Sequence, residues 1–67
     1  MPTIFFYGPE LEEEKRKELV KAFTEVASRL TGIAPSAFVV YLIPIPQDRV
    51  GVGGRLLKEV AQEKGGQ

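Results

Sequence analysis

Phe38-Val39-Val40-Tyr41-Leu42-Ile43 shows no alternation of apolar and polar positions and stops at Pro44. A strand with one face in water alternates, so an unbroken run of this kind fits a strand covered on both faces, as in a parallel sheet. Upstream, Leu19, Val20, Phe23, Val26, Ala27 and Leu30 recur at three- and four-residue spacing. Lys17, Lys21, Thr24, Glu25 and Ser28 occupy the opposite side, which predicts an amphipathic helix over about 11–30. Gly32 is placed to take the left-handed conformation that ends a helix, with Ile33 available for the hydrophobic contact that often follows. Further upstream, Thr3-Ile4-Phe5-Phe6-Tyr7 is β-branched and aromatic, and Gly8-Pro9 breaks it, giving a strand over about 3–7.

Strand, helix, strand in this order is a βαβ unit, whose crossover is right-handed in nearly all cases. One helix covers only one face of two strands, so an apolar second face implies further chains. Downstream, Arg49-Val50-Gly51-Val52-Gly53-Gly54-Arg55 places three glycines close together and reads as a hairpin or bulge near a subunit contact. It lacks the Gly-Lys-Ser/Thr of a phosphate loop and the spacing of a dinucleotide fingerprint. Leu56, Leu57, Val60 and Ala61 then repeat at helical spacing, and Gly65-Gly66-Gln67 is expected to fray. The fold class is α+β: one βαβ unit with parallel strands, a Gly-rich C-terminal hairpin, and a single domain over 1–67 assembled into an oligomer.

Composition points the same way. A chain of 67 residues buries only about 60% of its unfolded surface. It has no Cys and no His, which excludes a disulfide and the usual structural zinc site and leaves oligomerisation as the common remedy. Nine basic residues balance nine acidic ones, which argues against nucleic acid or an anionic membrane as partner. Nothing at the start resembles a signal peptide and no stretch approaches a membrane span, so a cytoplasmic protein is expected. Glu10, Glu12, Glu13 and Glu14, followed by Lys15, Arg16, Lys17 and Lys21, read as a solvated helix face whose charge order suits the helix dipole.

Pro2 carries the most distinctive chemistry. If Met1 is removed, the ring nitrogen of Pro2 becomes a secondary amine in place of an amide. An α-amino group titrates near about 8, and desolvation or a neighbouring cation lowers it, which suits a general base at neutral pH. The plain alternative is that a small second residue merely permits methionine cleavage.

Met-Pro at the start, a short strand, a helix near Glu12 to Leu30, an apolar strand at Phe38 to Ile43 and Val-Gly-Val-Gly-Gly at 50–54 together resemble the 4-oxalocrotonate tautomerase family. These are very small enzymes of the tautomerase superfamily, which also holds macrophage migration inhibitory factor. The resemblance spans about Pro2 to Leu57 and implies an isomerase, without cofactor or metal, that moves a proton in a small enol or unsaturated keto acid. It further implies Pro2 as general acid and base and a homo-oligomer, usually a hexamer.

The resemblance also marks departures. Family members carry an arginine in the loop before the helix, another in the second strand, and a phenylalanine just before Gly-x-Gly-Gly. Here the loop is Gly8-Pro9-Glu10-Leu11, the strand position is Val39 and the phenylalanine position is Val50. Val39 and Val50 are therefore candidate substrate contacts without charge. Arg49 is the nearest replacement cation, or else a solvated loop residue. Tyr41, on the strand face of Val39, offers a hydroxyl, or else packs as a core aromatic. Phe5, Phe6 and Phe38 would wall the site or fill the core. A Pro-dependent hydratase, dehalogenase or decarboxylase of a small unsaturated acid, and a non-catalytic binding module on the same scaffold, are the alternative functions.

Overall fold

Residues 1–64 are described by the computed structural model, so the expected fraying of 65–67 lies outside the described residues. Strand β1 spans Thr3–Gly8, helix α1 Glu13–Thr31, and strand β2 Val39–Pro44. A 3-10 turn at Pro35–Ala37 precedes β2 and another at Gln47–Arg49 follows it. Hairpin strands β3 (Gly51–Val52) and β4 (Arg55–Leu56) lead into helix α2, Leu57–Lys64.

The two long strands pair in parallel, Thr3 against Val39 through Gly8 against Pro44. β1 starts where the sequence suggested and ends one residue later, and β2 is shifted one residue later at both ends. The amide of Phe38 is spent on the preceding turn, donating to Pro35 O at 3.1 Å, so the ladder opens at Val39, whose N–H donates to Pro2 O at 3.0 Å. At the other end Ile45 N–H donates to Gly8 O at 2.9 Å, which draws Gly8 into the strand opposite Pro44, a residue with no amide donor to satisfy.

Helix α1 starts two residues later than expected. Glu12 is extended (ψ 156°) and makes no side-chain cap, and the first helical bond is Arg16 N–H to Glu12 O at 2.9 Å. Glu13 and Glu14 in the first turn face the positive end of the dipole. At the exit Gly32 takes φ 77° and donates to Ser28 O. Ile33 is 40% exposed. Hydroxyls fix the exit: Ser28 Oγ donates to Ile33 O at 2.6 Å, and Thr31 Oγ1 accepts from Ile33 N–H at 3.2 Å. Such local bonds are how Ser and Thr compete with helical pairing.

The strands place their side chains alternately. Ile4 and Phe6 of β1 are half-buried toward α1, where the Phe6 and Phe23 rings meet at 5.7 Å. Thr3, Phe5 and Tyr7 occupy the other face beside Val39, Tyr41 and Ile43. That second face is bare: Phe5 is 57%, Tyr7 65% and Tyr41 49% exposed. Phe5 and Tyr41 stack on it with centroids 5.0 Å apart and planes 8° from parallel. The helix flank is also open, with Val26 and Leu30 exposed although the sequence spacing assigned them to the packed face.

No described hydrophobic side chain is fully buried. The radius of gyration is 15.5 Å, against about 11 Å for a self-contained chain of this length. The isolated chain therefore lacks a closed core, and its sheet is a half-sandwich that requires a second layer.

The glycine-rich stretch folds as a two-residue hairpin. Gly53 (φ 60°) and Gly54 (φ 84°) both take the left-handed region that a type I′ turn demands. Leu57 N–H donates to Val50 O at 2.7 Å at its base. Glu59 Oε1 accepts from Leu56 N–H at 3.3 Å, the returning half of a capping box that starts α2.

Candidate active site

Pro2 is half-buried at the leading end of β1, its carbonyl held by Val39 N–H. The side chain of Met1 is 91% exposed, so its loss removes nothing that the fold packs. Val39 is therefore beside Pro2 through the backbone. Two positions along β2, Tyr41 shares the bare face with Val39 and is fixed by its stack on Phe5. Of the three phenylalanines named as candidate walls, only Phe5 lies on this face. Phe6 turns to α1, and Phe38 ends the 3-10 turn, where its extended backbone (ψ 143°) carries the chain into β2.

Arg49 and Val50 are elsewhere. The parallel ladder carries the chain away from Pro2 along β2, past Ile45 at the Gly8 end, and into the Gln47–Arg49 turn. Six strand residues at about 3.3 Å each put that turn about 20 Å from Pro2. There Val50 lines an open cleft of about 560 Å³ with Tyr7, Gly8, Ile45, Gln47 and Leu57. Arg49 is 73% exposed and pairs with its neighbour Asp48 at 3.5 Å. Within one chain, then, Val39 is bonded to Pro2 and Tyr41 stands two positions further along the same face, and Arg49 and Val50 do not join them.

A second, smaller space of about 80 Å³ lies at the same far end, between Phe6, Leu11, Leu42 and Pro44. The Arg16–Glu10 pair, 3.5 Å apart, sits at its rim. Neither β1 nor β2 carries a charged side chain, so nothing ionic from the sheet itself faces Pro2. Among the described residues no His, Cys, Asp and Glu side chains cluster in a way that would hold a metal ion, and no helix is long and apolar enough to cross a membrane.

Sequence reasoning passed over Thr3. Its side chain is next to Pro2, opposite Val39 and on the same face, a placement that appears only once the register is known.

Comparison with known proteins agrees with this architecture. A family model described as tautomerase enzyme matches residues 2–60, beginning at Pro2. A solved 4-oxalocrotonate tautomerase homologue is 33% identical, with a TM-score of 0.76 over 88% of this chain and 95% of that one. DmpI from Archaeoglobus fulgidus is 37% identical, with a TM-score of 0.79 over 85% of this chain and 98% of its own. TomN, a 4-oxalocrotonate tautomerase homologue of the tomaymycin biosynthetic pathway, is 27% identical, with a TM-score of 0.84 over 91% and 95% of the two chains. A search among curated proteins gave no match. With its βαβ unit, its hairpin and a family match that runs from Pro2 nearly to the end of the described chain, this protein belongs to the tautomerase family.

Proposed function

We propose that the protein is a cofactor-independent isomerase that moves a proton within a small enol or unsaturated keto acid, with the amine of Pro2 as general acid and base. The observation that carries this reading is the placement of Pro2: its carbonyl is tied to Val39 N–H at 3.0 Å at the mouth of a sheet face with no charged side chain. Once a neighbouring copy covers that face, such surroundings desolvate an amine and favour its neutral, basic form. Once Met1 is removed, the Pro2 nitrogen takes the proton from the enol hydroxyl, and electron density passes through the conjugated system as a dienolate. The ammonium then delivers the proton to carbon, giving the ketone. No atom is gained or lost, and the developing oxyanion needs a fixed cation or hydroxyl donor.

Tyr41 supplies a hydroxyl from the same protomer, and Val39 shapes the floor. Arg49 and Val50 come from a neighbouring copy, because the ladder places them at the far end of their own sheet. Homo-oligomerisation, as a hexamer, is part of the proposal: it covers the Phe5–Tyr41 face and completes the site together. So is a cytoplasmic location.

The test is Pro2→Ala in protein whose intact mass confirms loss of Met1. Ketonisation of phenylenolpyruvate is expected to fall by at least about 10² relative to wild type, in the range typical of a lost general base. The wild-type kcat/KM should fall as pH drops through the amine titration, since only the unprotonated amine is the base. An unchanged rate in the variant refutes the assignment.

A further inference from the structure

Both strands that form the sheet, Thr3–Gly8 and Val39–Pro44, are free of charged residues. Helix α1 holds five cations, but it packs against the opposite face, so they stand a layer away from Phe5, Val39 and Tyr41. Lys15, Lys17 and Arg16 make exposed pairs with Glu18, Glu13 and Glu10 at 3.9, 3.7 and 3.5 Å, so it is their face and not their pairing that sets them apart. Lys58 lies beyond the hairpin on α2. On the hairpin, Arg55 has an interaction of its own. Arg49 differs from these in its place: it is 73% exposed in a turn adjoining Val50, and its ion pair with Asp48, at 3.5 Å, is as weak as those on the helix. An exposed pair of that kind is worth little, so the guanidinium can turn to a substrate carboxylate, which it holds with two parallel hydrogen bonds.

We infer that the site selects monoanionic enol acids with an apolar or aromatic tail over dicarboxylates, an inference that rests on the assignment of Pro2 as the base. One carboxylate meets Arg49 from the adjoining copy. A second would lie against Val39 and Val50, both half-buried and apolar, and would lose its hydration with no cation to replace it. An aryl or alkyl tail placed there meets the two valines and leaves no charge without its hydration.

Two measurements on the assembled, Met1-free protein test selectivity and catalysis apart. In calorimetric titration, cinnamate, an unreactive aryl monocarboxylate, is expected to bind at least about tenfold tighter than (E,E)-muconate, a dicarboxylate of similar length, a difference of about 1.4 kcal/mol. Arg49→Gln, a substitution in an exposed turn, should weaken cinnamate binding about tenfold, as loss of a charged hydrogen-bond partner does. In the second measurement, kcat/KM for phenylenolpyruvate should exceed that for 2-hydroxymuconate by a similar factor. Muconate binding as tightly as cinnamate, binding of neither acid at millimolar concentration, or cinnamate binding untouched by Arg49→Gln overturns the inference. Cinnamate preference with no ketonisation of either enol upholds the selectivity and refutes the proton-transfer role of Pro2.

Discussion

Replacing Phe5 by Ala should weaken assembly as well as disturb the chain itself. The ring is 57% exposed in the isolated protomer, so more than half of its surface remains to be buried by a second layer. Full burial of such a side chain stabilises by about 1.5–3 kcal/mol, and the outstanding fraction corresponds to about 1–1.7 kcal/mol. The parallel stack on Tyr41 at 5.0 Å lies within the protomer, so its loss, about 0.5–1.5 kcal/mol, falls on the chain and not on the contact. A contact between two equivalent copies loses the outstanding burial twice, about 2–3.4 kcal/mol. Because about 1.4 kcal/mol is a factor of ten, the dissociation constant of a two-copy contact should rise by about 30- to 300-fold. Sedimentation velocity across a dilution series reads this directly, and the thermal midpoint should become concentration-dependent over the same range. Lys21→Ala on the exposed side of α1 is the control and should shift neither measurement. Equal dissociation concentrations for Phe5→Ala and wild type would refute the argument that the bare sheet face is the assembly surface.

Gly8→Ala should destabilise by about 1–3 kcal/mol, because a Cβ at that position would stand 2.7 Å from the Phe6 ring and push it against Phe23; chemical denaturation checks the size, and an unchanged midpoint would mean that the ring moves freely. Gly54→Ala, at φ 84° with open space around it, should cost about 1–2 kcal/mol from backbone strain alone. Gly51→Ala, whose nearest neighbour is Arg55 O at 3.8 Å and which needs no positive φ, should cost less, a ranking that thermal melts can reverse. Glu59→Ala should loosen α2 at its start by about 1 kcal/mol through loss of the bond to Leu56 N–H, seen as faster amide exchange at Leu56 with β1 and β2 unaffected.

The βαβ unit was legible because its signals are local. An apolar run closed by Pro44, a helical repeat ended by Gly32 and a β-branched run broken by Gly8-Pro9 each state an element within a few residues. The one- and two-residue shifts arose where hydrogen-bond accounting overrides composition. Phe38 has the propensity of a strand but gives its amide to a turn, and Glu12 has the propensity of a helix but remains extended. Val26 and Leu30 have the helical spacing of a core and yet lie open, since spacing reports which side is apolar and not which chain covers it.

The candidate site was legible only by half, for a reason that concerns its chemistry as much as its prediction. Val39 was marked by the family resemblance and Tyr41 by strand parity with Val39; the ladder sets Val39 opposite Thr3 and Tyr41 opposite Phe5. Arg49 and Val50 follow Val39 closely in sequence, yet each residue of β2 takes the chain about 3.3 Å further from Pro2. A parallel pair joined by a crossover must separate its first residue from whatever follows its second strand. Any reaction that needs both Pro2 and Arg49 therefore cannot be housed in one copy of this chain. The same sheet that leaves its aromatic face uncovered leaves Pro2 without a cation, so under the proposed function a single contact between copies answers both, and weakening that contact at Phe5 should lower activity in proportion to the fraction dissociated.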